Sequence, residues 1–124
     1  MSYVDGLVVP VPKAKLSDYK KLAQLACEVW LEHGALDYRE WIAEDVKPGK
    51  LTSFPQAVQL KDDEVISLSW VVYKNKEDRD RIAKAVMDDP QLKETMGDPS
   101  NMPFDGKRMF WGGFRTFLGL SAGS

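Results

Sequence analysis

Six side chains have types and settings that could do chemistry: Asp5, His33, Tyr38, Trp70, Asp105 and Arg108. Asp5 stands inside an apolar stretch, Tyr3-Val4-Asp5-Gly6-Leu7-Val8-Val9. A carboxylate there must be paired, hydrogen-bonded or turned toward a wet cavity, because a lone buried charge is costly. Its available partners are Ser67 or Ser69 on one neighbouring strand and Arg108 or Arg115 on the other, so a structural ion pair stands beside an acid-base role. His33 is the single histidine, and its ordinary pKa of about 6.5 suits proton transfer. It also falls at a helix C-terminus, where an imidazole can satisfy the last carbonyls. Asp5 and His33 are the candidate catalytic groups. Tyr38, Trp70, Asp105 and Arg108 are the candidate ligand contacts.

The segment Met102-Pro103-Phe104-Asp105-Gly106-Lys107-Arg108-Met109 joins a rigid turn, an aromatic anchor, an acid and two cations. It could orient an anionic or carbonyl-bearing ligand, or pin a loop against its own strand. Cys27 lies at the edge of an apolar helix stripe with no basic neighbour in sequence, the setting of an inert thiol. Lys50-Leu51-Thr52-Ser53-Phe54-Pro55 offers hydroxyls without a base in the same segment, so it supports no nucleophilic serine. Trp41, Trp70 and Trp111 read first as core. No Gly-x-Gly-x-x-Gly, phosphate loop or Cys-x-x-Cys occurs, so no cofactor is expected. One cysteine and one histidine also leave no multi-residue metal site.

The elements that must position these groups belong to a chain of 124 residues, 44% hydrophobic and 29% charged, the size and mix of one globular domain spanning residues 1–124. Nineteen acids against seventeen bases give a net charge of −2, which argues against a nucleic-acid partner. No apolar run reaches the roughly 20 residues of a membrane span. The opening Met1-Ser2-Tyr3-Val4-Asp5 lacks the profile of a signal peptide. A cytoplasmic protein with neither a membrane nor a nucleic-acid partner is expected.

A first strand is expected over Tyr3–Val9, ended by Pro10 and Pro12. A helix follows whose inner stripe is Leu16, Tyr19, Ala23, Ala26, Trp30 and His33, with Ser17 as a possible cap and Gly34 as its left-handed stop. Further strands are expected over 36–44, 65–73 and 107–117, with a short piece at 56–60. Asn75 should cap a helix from Lys76 to about Asp89, and Gln91–Met96 can form another. The tail from about residue 119 has nothing to pack against.

Strand-helix-strand-strand-helix-strand is the α+β, ferredoxin-like βαββαβ arrangement, with a four-stranded antiparallel sheet in the order 4-1-3-2. Both helices should cover one face. The other face should then be polar, yet Ile66, Leu68, Trp70 and Val72 alternate with Val65, Ser67, Ser69, Val71 and Tyr73, and Phe110 and Phe114 with Met109, Trp111 and Phe117. Large apolar groups on both faces call for a cover. A second copy packed sheet to sheet, closing a dimeric α/β barrel, supplies one; long loops folded over the face are the alternative. Gly6, Gly112 and Gly113 lie within these strands, where glycine marks a bulge or a close approach.

These residues also carry a resemblance. Tyr3-Val4-Asp5-Gly6 with Val9-Pro10-Val11-Pro12, Glu32-His33-Gly34-Ala35-Leu36, Pro48-Gly49-Lys50, Thr52-Ser53-Phe54, Ser69-Trp70, Met102 to Met109 and Gly112-Gly113-Phe114 together resemble the YbaA-like family of small bacterial proteins of unknown function. The resemblance spans Tyr3 to about Phe117. It implies the dimeric α/β-barrel superfamily, which includes cofactor-free monooxygenases, small isomerases, haem-degrading enzymes and stress proteins, and it assigns no catalytic residue. Haem degradation fits poorly, because the second helix has no histidine to ligate iron. Two functions follow as expectations. One is a small-molecule enzyme or binder, of monooxygenase or isomerase type, taking a small aromatic or carbonyl ligand in a dimeric barrel pocket. The other is a non-catalytic structural or regulatory homodimer of the stress-protein kind. Polar groups converging on an open cavity would favour the first.

Overall fold

A computed structural model describes residues 2–96, 98, 100 and 102–122 of the chain. Residues 1, 97, 99 and 101, and residues 123 and 124 of the expected tail, lie outside the described residues. The elements run β1 (Tyr3–Pro12), α1 (Leu16–Glu32), β2 (Asp37–Ile42), α2 (Phe54–Val58), β3 (Glu64–Tyr73), α3 (Lys76–Met87), α4 (Pro90–Met96) and β4 (Phe110–Arg115). The architecture is α+β, with one antiparallel sheet in the order β2-β3-β1-β4. This is the expected order read from the other edge. The sheet is open; its four strands do not close into a barrel.

β1 runs three residues past its expected end, because its prolines are placed where they cost nothing. Lys13 donates its amide to the Asp63 carbonyl at 2.8 Å. Alternation along the strand therefore points the amide positions of residues 9 and 11 at β3, and those of Pro10 and Pro12 away from it. On that other side β4 stops opposite Val8. The missing amide hydrogens face no partner strand.

The other boundaries shift for local reasons. A 3-10 turn over Lys13–Lys15 leads into α1, so Ser17 lies inside the first turn and caps nothing. Gly34 takes the positive φ expected of it, 114°. β2 begins and ends inside its expected range, although Leu36 and Ala43 still donate to the Val72 and Ile66 carbonyls. The short piece forms two residues early, as α2, because Ser53 accepts the Gln56 amide and Pro55 suits a first turn. Asn75 caps α3 as expected, accepting from the Asp78 amide at 2.7 Å. β4 starts at Phe110 instead of Lys107, since residues 106–108 form a 3-10 turn capped by Asp105.

Two of the three cores lie on one face of the sheet. Val29 of α1, Ile82 and Val86 of α3, and Leu92 of α4 pack with Val71 and Tyr73. Val9 and Val11 pack with Tyr19, Phe104 and Met109, so the 102–109 segment covers the lower part of the same face. The opposite face is not left wholly bare, because α2 crosses one end of it and Val58 packs on Val8 and Ile66. Beyond α2 the face stays open. Phe114, Phe110 and Trp41 are 63%, 47% and 40% exposed.

Candidate functional site

Strand alternation sorts the candidate residues onto two faces. In the observed register Tyr38 lies opposite Val71 and Glu40 opposite Ser69, while Arg39 lies opposite Trp70 and Trp41 opposite Leu68. Tyr38 and Glu40 thus turn toward the helices, and Trp41 and Trp70 toward the open face.

The helix-covered face carries two hydrogen-bond networks, the second of which leaves Asp5 Oδ1 and Arg79 Nε without a hydrogen bond. In the first, Glu40 accepts from the Tyr19 hydroxyl at 2.5 Å, the Ser67 hydroxyl at 3.0 Å and the Tyr38 hydroxyl at 2.8 Å. Burial, reinforced by the Glu40 charge, raises the pKa of both Tyr19 and Tyr38 above the ordinary tyrosine value. Both phenols are therefore held as donors. Burial likewise raises the Cys27 thiol, with the nearby Glu28 and Glu40 carboxylates adding to the effect, so it is poorly suited to nucleophilic work.

In the second network the Trp30 indole donates to the Tyr73 hydroxyl at 2.8 Å, which donates to Asp5 at 2.9 Å. Arg79 approaches the other Asp5 oxygen at 3.4 Å, donates to the Tyr3 hydroxyl at 3.2 Å and lies 5.1 Å over the Tyr3 ring. Asp5 is only 6% exposed. Its burial raises its pKa, against the Tyr73 hydrogen bond and the Arg79 charge, which act to lower it. The partners foreseen for Asp5 were serines or arginines of the adjacent strands; the actual cation, Arg79, comes from α3, whose first turn faces this end of the sheet.

His33, the residue after α1, bonds through Nε2 to Asp89 at 2.8 Å, joining the end of α1 to the start of α4. This bond holds the Asp89 carboxyl below its ordinary range. Asp105 accepts the Lys107 amide and shapes the turn before β4. Arg108 is shared among Glu64 and the carbonyls of Val58 and Gln59, the latter two at 2.9 and 2.8 Å. Its bond keeps the Glu64 carboxyl below the usual range. Among the described residues, no hydrogen bond or ion pair joins any two of Asp5, His33, Tyr38, Trp70, Asp105 and Arg108.

Trp70 stands in the other kind of setting. Its ring centroid is 3.8 Å from that of Trp41, the planes tilted by 42°, a diagonal cross-strand contact. Together they form one wall of a groove of about 350 Å³, with Ile66 and Leu68 of β3 and with Phe54 and Val46 opposite. Arg108 reaches this groove only through α2, whose C-terminal carbonyls it grips. Ser53 and Gln56 fix the other end: the Gln56 side chain accepts from the Ser53 hydroxyl at 2.7 Å and the Gly49 amide at 2.9 Å.

Glu40, Tyr19 and Ser67 are polar participants that motif reading passed over. The signal was available. Alternation in Tyr38-Arg39-Glu40-Trp41-Ile42 turns an acid inward between a tyrosine and an isoleucine, the same anomaly that singles out Asp5. The strand glycines have a resolved role too. The Phe114 ring lies over the cross-strand pair Gly6 and Gly112, and a Cβ at Gly113 would run into the Tyr3 ring. The close approach is made by aromatic rings of the same chain, one on each face.

Among the described residues, no group of three His, Cys, Asp or Glu side chains could hold a metal ion, and no helix is long and apolar enough to cross a membrane. Residues 2–106 match the family described as "Protein of unknown function (DUF1428)". The sequence is 44% identical over 118 residues to the uncharacterized protein YbaA of Escherichia coli strain K12, covering 95% of this chain and 98% of that protein. The YbaA protein of Shigella flexneri matches with the same identity and coverage. Among solved structures, the de novo designed protein Foldit4 covers 94% of this chain and 99% of its own at 10% identity, with a TM-score of 0.48.

Proposed function

We propose, for a chain that belongs to the DUF1428 family and therefore inherits no assigned reaction, that it is a homodimer sheltering a small, mainly apolar ligand without transforming it. The observation that carries this reading is the separation of polar and apolar groups by the sheet. Every candidate acid or base on the helix side is bonded to a neighbour, and the groove on the open side is lined almost wholly by hydrocarbon and aromatic surface. Catalysis needs polar groups aimed at the reacting atoms, whereas binding of an aromatic compound needs a concave apolar site of a few hundred cubic ångströms.

A second copy is the cover that suits the remaining open face. Phe110 and Phe114 are the exposed groups that a twofold partner could bury against its own equivalents, with the two sheets closing as a barrel, while Trp41 and Trp70 wall the groove. The groove beside α2 would then sit at the rim of the interface. The proposed setting is the cytoplasm, where the lone Cys27 would stay reduced.

Sedimentation at micromolar concentration and a thermal-shift titration with indole test the two halves. A dimer is expected, together with a saturable rise in melting temperature that Trp70→Ala abolishes. A folded lone protomer overturns the assembly, and an unmoved melting temperature overturns the ligand site. A quinol oxidation performed by the wild type and lost in Asp5→Ala or His33→Ala would replace the binding reading with a catalytic one.

A further inference from the structure

α2 is five residues long, about 7.5 Å of helix, and a helix that short does not persist on its own hydrogen bonds. It stands because Val58 packs on Val8 and Ile66 and because both ends are held. Ser53, Gln56 and Gly49 tie the N-terminal end from the adjoining chain. The C-terminal end is held from elsewhere. The Arg108 guanidinium donates through Nη2 to the carbonyls of Val58 and Gln59 at 2.9 and 2.8 Å, and through Nη1 to Glu64, the first residue of β3. A helix leaves the carbonyls of its last turn without internal partners. Gln59, with a φ of 50°, is also the one non-glycine residue with positive φ among the described residues, a conformation that side chains disfavour. The grip of Arg108 secures this bend.

Arg108 is itself fixed by the helix-covered face. Its amide donates to the Asp105 carbonyl at 3.0 Å, and the flanking Phe104 and Met109 pack with Val9, Val11 and Tyr19. The Phe104 ring meets the Tyr19 ring edge-on, with centroids 5.6 Å apart. One side chain thus reaches from that face, at the end of the sheet where Pro12 pairs with Glu64, to the helix that walls the groove on the other.

We infer that Arg108 is the positioning residue of the groove: through it the 102–109 segment sets where α2 stands, and so the place of Phe54 opposite Trp41 and Trp70. The inference rests on the ligand-binding reading above and adds to it control of the site from the opposite face. Arg108 touches no ligand and acts through the Val58 and Gln59 carbonyls. A single short helix carries a displacement of its last turn to its first residue, Phe54. The coupling is reciprocal, so whatever steadies the groove steadies the turn at 106–108.

Hydrogen exchange of the full chain, read by NMR with and without indole, tests this in two variants. Arg108→Lys keeps a charge beside Glu64 and removes the fork that spans two carbonyls. Asp105→Ala loosens the turn that carries Arg108, at an exposed position outside the groove lining, and carries the test alone if Arg108→Lys does not fold. The Gln59 and Leu60 amides, bonded to the Gln56 and Pro55 carbonyls, should exchange about tenfold faster in both, as for one lost hydrogen bond to a charged group. Those of Ile82 and Val86 in α3 should keep their rates. Indole affinity, by titration calorimetry, should fall about fivefold in Arg108→Lys and about threefold in Asp105→Ala. In the wild type, indole should slow exchange of the Arg108 and Met109 amides. Unchanged exchange at Gln59 and Leu60 overturns the positioning role, whatever indole does. Faster exchange there with undiminished indole affinity also overturns it and leaves ligand binding standing. Faster exchange with no indole heat in the wild type overturns the ligand reading and leaves Arg108 only as the holder of α2.

Discussion

Glu40 on one face of the sheet and Trp70 on the other sit one pairing step apart, Glu40 opposite Ser69 and Arg39 opposite Trp70, yet their surroundings differ in kind. The helix side sets most of its buried polar groups against one another: a carboxylate against three hydroxyls, an aspartate against a tyrosine and, as an ion pair, an arginine, with Asp5 Oδ1 and Arg79 Nε left without a hydrogen bond. Polar groups buried without partners are costly, so the polar side chains of this region are turned mainly toward one another. The open side has the reverse composition. Its aromatic and aliphatic groups demand no specific partner, and their uncovered area is the part of the molecule left to recognise something else. Polarity marks the scaffold here, and greasiness marks the surface available for function.

Substitutions on the two faces should break this contrast cleanly. The largest effect is expected from Glu40→Ala, which strands the hydroxyls of Tyr19, Tyr38 and Ser67; urea unfolding should show a loss of about 3 kcal/mol, with the dimer constant unchanged once folded protein is compared. Phe110→Asp does the opposite. It should weaken association by about 2 kcal/mol, read by sedimentation, and leave the unfolding of the isolated chain nearly unaltered.

The carboxylates at the two ends of the sheet sharpen the contrast through pH. Glu64 is held below its ordinary range by Arg108, so its contribution to stability is present above the unfolded value of 4.5 and is lost as pH falls through the lower folded value. Asp5 is raised by burial, so its contribution is present below 3.8 and is lost as pH rises through the folded value. Urea midpoints between pH 2 and pH 7 should therefore respond oppositely: Glu64→Gln flattens the fall toward acid, and Asp5→Asn removes the decline that sets in as pH rises above 3.8. The smallest effect is expected from Ser53→Ala. Loss of its cap should cost about 0.5–1 kcal/mol and show mainly as weaker indole binding, because α2 forms a wall of the groove.

Much of this was legible in the residues. Alternation in β3 assigned Trp70 and Leu68 to one face and Ser67, Ser69 and Tyr73 to the other, and the strand order followed from handedness rules. Asn75 and Gly34 announced their roles because capping and positive φ are local properties. Side-chain partners were less legible, since they depend on where helices land. Asp5 needed a partner, and nothing local said that it would be Arg79 of α3. Arg108 looked like a ligand contact because its neighbours in sequence are turn residues; its actual neighbours, Glu64, Val58 and Gln59, lie some 44 to 50 positions away. The placement of α2 on the open face was equally hidden, because a five-residue helix has too short a period to show which side it buries.

The prolines of β1 carry one more consequence. A protein with so much uncovered apolar surface risks growing into fibres by adding strand to strand, and each such addition needs amide hydrogens along a free margin. Past the end of β4, Pro10 and Pro12 present none on that side, and Pro10 is itself buried, so only Pro12 stands partly open to an approaching strand. That stretch of margin cannot template an incoming chain, and self-recognition there is steered away from open-ended polymerisation and toward the flat of the sheet, where a pair is complete.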